Sequence, residues 1–167
     1  CILRDGLVIQ IGTPEEILTE PADGYVAEFV QDVDQGRVID VGKVMHDAVI
    51  LDSTSTLTQC VDALGDRQGG FVVDADNRPT AMLSLTDAAT ALAHGTTDLG
   101  SVLRSDFDTT TPGARFNENY AAAGRGQPIA VVDESGRLIG ELEPREIMEE
   151  MGRVEQLVDG FEREMFL

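Results

Sequence analysis

Lysine is nearly missing from this chain. Lys43 is the single one in 167 residues, and the remaining positive charge is arginine. Against 12 basic side chains stand 31 acidic ones, a formal charge of −19. A surface with that balance excludes nucleic acid as a partner, because phosphate contacts need a surplus of Lys and Arg on at least one face. Tryptophan is absent and the two cysteines, Cys1 and Cys60, are far apart. That is too few for a disulfide framework or a cysteine metal cluster, and both read as reduced, inert thiols. No apolar run approaches the roughly 18 to 20 residues of a membrane span. Also missing is a glycine-rich loop ending in Gly-Lys-Ser/Thr, the cradle for nucleotide phosphates, so these residues by themselves supply no ATP hydrolysis.

The middle of the chain repeats itself. Sliding Ile50–Asp87 onto Thr109–Glu146 lays Phe71-Val72-Val73-Asp74 on Ala130-Val131-Val132-Asp133 and Arg78 on Arg137, with no gap. Internal repetition dictates architecture before any single residue does. In the first copy Leu57, Cys60, Val61 and Leu64 recur at the spacing of one helix face. Phe71-Val72-Val73 is a short apolar strand, Asp74–Pro79 a polar turn and Ala81-Met82-Leu83 its partner strand. Leu85, Ala88, Ala89 and Leu92 then line a second helix. The second copy predicts the same order, with Phe116, Tyr120 and Ala123 on its first helix, strands at Ile129–Val132 and Leu138–Leu142, and Ile147, Met148 and Met151 on its last. That helix is predicted to continue through Val154, Leu157, Val158, Phe161 and Met165 as an acidic amphipathic arm. The fold class is therefore α/β, two β-α-β-β-α units in tandem.

Ahead of the repeats, Cys1–Arg4 and Leu7–Ile11 flank Asp5-Gly6, a dipeptide suited to a tight hairpin. Thr13-Pro14-Glu15-Glu16 has the form of a capping box with proline at the first helical position. A second short helix carries Tyr25, Val26, Phe29 and Val30. The stretches Arg4-Asp5-Gly6, Gln10–Ile17 and Pro21–Val26 resemble the C-terminal end of an ABC-transporter ATPase subunit, and a chain opening in mid-hairpin reads as part of a longer protein. The paired units, with their Val44-Met45 and Val102-Leu103 entries, resemble tandem CBS domains, a Bateman module. The combination is similar to the ATP-binding subunits of the glycine betaine/proline uptake family.

That resemblance divides the chain into an ATPase remnant (1–32), a linker (33–40), a first CBS repeat (41–95), a second (96–151) and the acidic helical extension (152–167). It implies a regulatory, non-catalytic module at the inner face of the cell membrane. Its partners would be the parent ATPase domain, a transmembrane permease and a second copy in a homodimer, with the membrane surface met only indirectly. It also implies ligand clefts. The family's Gly-x-x-Ser/Thr-x-x-Asp pattern falls on Ala81, Ser84 and Asp87 in copy one, which with Ile50 and Met82 makes a candidate site for an adenine nucleotide or a cyclic dinucleotide. Copy two keeps Gly140 but has Glu143 and Glu146 where the hydroxyl and aspartate would fall, and two carboxylates at that mouth would repel phosphate.

Other readings stay open. Ser84-x-x-Asp87 before an apolar helix is equally a plain cap. His46 and His94 lack nearby Cys or carboxylate spacing for a metal. A pair that only dimerises ATPase subunits, without ligand, would fit the same residues, while an enzyme would need a nucleophile and base that the spacing does not offer. Ionic strength is an alternative signal, since screening shortens from about 10 Å at 0.1 M salt to about 3 Å at 1 M.

Overall fold

The computed structural model describes residues 1–146, apart from 32 and 34. The predicted last helix and acidic arm, Ile147 onward, lie outside the described residues, and residues 144–146 are helical. The chain divides into two compact units, one built on Cys1–Ile39 with Arg115–Asn117, the other on Asp40–Ala114 and Glu118–Pro144.

The first unit opens with strands β1 (Ile2–Arg4) and β2 (Leu7–Gln10), paired antiparallel. Asp5 and Gly6 both take positive φ, 51° and 81°, at the turn between them. Helix α1 (Pro14–Thr19) starts in the predicted capping box, with the Thr13 hydroxyl accepting from the Glu16 amide and the Glu16 carboxylate accepting from the Thr13 amide. Helix α2 (Gly24–Val30) is capped by Asp23. Ile17, Leu18, Val26 and Val30 form the buried cluster of this unit.

In the second unit the repeat emerges as paired hairpins. Helix α3 (Leu57–Leu64), capped by Thr56, precedes β3 (Gly69–Val73) and β4 (Pro79–Ser84), and α4 (Leu85–Ala93) follows directly. In copy two β5 (Thr109–Thr110) is followed by a 3-10 turn over Phe116–Asn119 and the short helix α5 (Tyr120–Ala123), then β6 (Ile129–Val132) and β7 (Leu138–Leu142). The helix predicted across Phe116 to Ala123 is thus half 3-10 and half α. The connecting turns match residue for residue. Asp74 Oδ1 accepts from the amides of Asp76 and Arg78, and Asp133 Oδ1 from those of Ser135 and Arg137. Asn77 and Gly136 hold the same left-handed position, with φ of 63° and 79°.

Alternation along the strands sorts the side chains. Val72 and Leu83 face the helices and join Leu51, Leu57, Cys60, Leu64, Ala88 and Leu99 in the core of copy one. Phe71 and Met82 face the other way and meet Ala130 and Leu138 of copy two. The two hairpins therefore bury a common apolar layer. Their turns touch as well, since Leu138 N–H donates to the Asn77 carbonyl and the Asn77 amide to the Leu138 carbonyl, both at 2.8 Å.

Each repeat also lends an entry segment to its twin. Arg104, which leads into copy two, bridges antiparallel to Met82 on β4 of copy one, and His46, which leads into copy one, bridges antiparallel to Glu141 on β7 of copy two. Ile50 bridges in parallel to Phe71, just as β5 pairs in parallel with β6. Gly140 makes room for one of these exchanges, because a Cβ there would stand 2.8 Å from the His46 carbonyl oxygen.

Candidate functional site

The exchange creates two related clefts, one beside β4 and the N-terminus of α4, the other beside the end of β7. In the first, Ser84 accepts the Asp87 amide at 3.4 Å and so caps α4, as the plain reading of that spacing anticipated. Asp87 itself is not a cap. Its carboxylate points across the cleft to Arg104, with Oδ2 lying 3.5 Å from Nη1, and both side chains are about two-fifths exposed, at 39% and 40%.

Arg104 continues into an open cavity of about 550 Å³ lined by Arg104, Asp106, Phe107, Asp108, Arg125 and Gln127. Phe107 packs edge-on against buried Phe71, with ring centroids 5.7 Å apart, which fixes the aromatic wall. Two guanidiniums face the space, each steadied by a carboxylate. Arg104 reaches Asp106 at 3.3 Å, and Arg125 Nε donates to Asp108 Oδ2 at 2.8 Å. Hydrogen bonds from Arg104 hold the Asp106 carboxyl below the ordinary aspartate range, and that partner raises Arg104 in turn. Arg125 is raised for the same reason by Asp108.

The other residues of the sequence reading are placed less simply. Met82 is fully buried in the layer between the hairpins, and it meets Arg104 through its backbone, with N–H···O distances of 2.8 and 2.9 Å in the two directions. Ile50 is 54% exposed at the sheet edge beside Phe71. Sequence reasoning missed Arg104, Phe107 and Arg125, which come from the inter-repeat segment and from the loop before β6.

The second cleft departs from the first. Glu143 was expected at its mouth, yet the structure turns it inward, where it is fully buried and Oε1 accepts the Gln68 amide at 2.9 Å. Glu141, at the position matching Met82, is likewise at 0% exposure. Glu146 is half-buried at the limit of the described residues. His46 and Arg67 close over this pair, with His46 Nδ1 and Arg67 Nη1 each 3.6 Å from Glu141 Oε1. The histidine that showed no carboxylate spacing in sequence thus gains two glutamates through the cross-repeat bridge.

Twin α/β units that trade edge segments around two clefts have the fold of CBS-domain pairs. The family model for the CBS domain matches residues 38–94. In fold the chain is similar to OpuCA of Staphylococcus aureus, with a TM-score of 0.53 and 19% identity over 65% of this chain and 96% of that one. It is also similar to the CBS domain protein PAE2072 of Pyrobaculum aerophilum, determined in complex with AMP, with a TM-score of 0.58 and 21% identity over 65% of this chain and 89% of that one.

In sequence the chain is similar to about a third of the length of ATP-binding subunits of glycine betaine and proline betaine transporters, and its residues 38–94 match the CBS-domain model. One such relative is the glycine betaine transport ATP-binding protein OpuAA of Bacillus subtilis, 32% identical over 142 residues, covering 83% of this chain and 34% of that protein. The chain therefore spans about a third of the length of the curated relatives it matches.

Proposed function

We propose that this CBS pair regulates the ATP-binding subunit of an osmoprotectant ABC importer, and that an adenine nucleotide seated in the first cleft is its signal. The observation that carries the reading is the cavity reached from Asp87 through its ion-pair partner Arg104, where two arginines and an aromatic wall converge. Guanidiniums suit phosphate through paired, charge-assisted hydrogen bonds. Phe107 offers a flat apolar face to a base, and Asp87 can accept from ribose hydroxyls. The complex of the Pyrobaculum neighbour with AMP supports the ligand class. A cyclic dinucleotide would use the same groups.

A ligand confined to the folded state stabilises it by RT ln(1 + [L]/Kd), about 2.7 kcal/mol at a hundredfold excess over Kd. A thermal-shift panel of AMP, ADP, ATP and cyclic dinucleotides should raise the midpoint for at least one member, and Asp87→Ala should abolish that rise. The exposed Asp87–Arg104 pair contributes little to the unliganded fold, so the variant should otherwise melt as the parent does. If no nucleotide moves the midpoint, the pair serves to dimerise ATPase subunits, the alternative reading. Ionic strength is the second signal such a surface would register. Repeating the panel at low and high salt separates the two, because a salt response that persists without nucleotide belongs to the ion pairs alone.

A further inference from the structure

The second cleft carries a different chemistry from the first. Glu141 lies on β7 and Glu143 directly after the strand ends, two residues further on, and both side chains are fully buried. His46 lies directly across the antiparallel bridge from Glu141. One ligand atom from each of the three residues falls within 4.8 Å of the others. The matching positions of the first cleft hold Met82, Ser84 and Arg104, none of them an anionic donor. Burying two carboxylates at 0% exposure is costly unless positive charge meets them.

A cation already stands beside two members of this group. Arg67 Nη1 lies 2.6 Å from each His46 ring nitrogen and 3.6 Å from Glu141 Oε1, and so supplies the positive charge that faces them. The Arg67 side chain is 26% exposed and hangs from the turn after α3, so it can swing outward without unpacking the core. The geometry points to a divalent transition-metal site made by His46, Glu141 and Glu143, with Arg67 as the internal cation that the metal displaces. One imidazole and two carboxylates form a mixed N/O set suited to Zn²⁺ and to Co²⁺, Mn²⁺ or Fe²⁺, and too nitrogenous for Mg²⁺ or Ca²⁺. A tetrahedral ion with bonds of about 2.1 Å needs donors roughly 3.4 Å apart, within reach of small side-chain adjustments. This site is independent of the nucleotide cleft.

Co²⁺ is the probe, titrated into the 167-residue chain with excess Mg²⁺ present to occupy the acidic surface. The expected result is one saturable Co²⁺ per chain with visible d–d absorption, displaced by Zn²⁺. Glu143→Gln and His46→Ala should each weaken it about tenfold or more, while Asp87→Ala in the other cleft leaves it unchanged. Since buried variants can disturb folding, Arg67→Gln decides the matter. It removes only the competing cation and should tighten Co²⁺ binding. No saturable site, a spectrum indifferent to Glu143→Gln, or affinity unchanged or weakened by Arg67→Gln would overturn the assignment.

Discussion

Single side chains in this protein take their roles from what the neighbouring repeat brings to them. Asp87 has a cationic partner only because Arg104 arrives from the inter-repeat segment, and Glu141 meets a histidine only because His46 leads into the opposite copy. Asp133 shows a local version of the same dependence. Its carboxyl is held below the ordinary aspartate range, chiefly by the hydrogen bond from the Arg137 amide, with the Ser135 amide adding to it and burial opposing. A lowered folded-state pKa means that the charged turn stabilises the fold above the unfolded pKa of about 3.9, and that this contribution fades as pH falls through the folded value. Asp133→Asn keeps an acceptor oxygen but not the charge. It should melt earlier than the parent at neutral pH, with the gap closing on acidification below about pH 4. Parallel pH–melting curves for the two proteins would contradict that account.

At the level of elements, most of the repeat was legible because it rests on short-range rules. The apolar strands around Phe71 and Met82 are local, as are the Thr13 capping box and the Asp5-Gly6 turn ahead of the repeat, and each formed as its residues specify, whereas the capping box at Thr56 went unread. The Phe116–Ala123 stretch was misjudged because apolar spacing does not distinguish a 3-10 turn from an α-helix over so few residues. What could not be read was the trading of edge segments, since a pairing between residues distant in sequence leaves no local periodicity. The offset that aligns the repeats also sets His46 one place away from the counterpart of Arg104, which hides the exchange from a simple comparison. The hairpin turns offer the cleanest test at this scale. Gly136 needs a positive φ, and a Cβ there would meet only the Arg78 side chain at 3.9 Å, so space is not the obstacle. Gly136→Ala should cost about 1 kcal/mol in chemical denaturation through backbone conformation alone. The twin change Asn77→Ala should cost more, because the Asn77 side-chain bond to Leu138 goes with it.

For the whole molecule, a formal charge of −19 sets the background against which every site works. Self-repulsion among the carboxylates disfavours compactness and is relieved by salt, so the arginines facing the first cavity are scarce positive charge held in place by Asp106 and Asp108. The tandem architecture of this part of the chain was legible from the repeat. The buried acid cluster was not, because its members gather only after both hairpins have formed. The traded segments also determine how this architecture can be taken apart. Either half, produced alone, would have to leave one sheet margin bare, and bare margins seek partners. Residues 40–95 and 96–146 made separately should therefore elute as associated or aggregated species. Mixed during refolding, they should recover one stoichiometric complex with the melting cooperativity of the uncut chain, whereas two well-behaved monomeric halves would show the lending of strands to be dispensable. A duplication of this kind binds its copies together, since each has surrendered an edge that its sibling now covers.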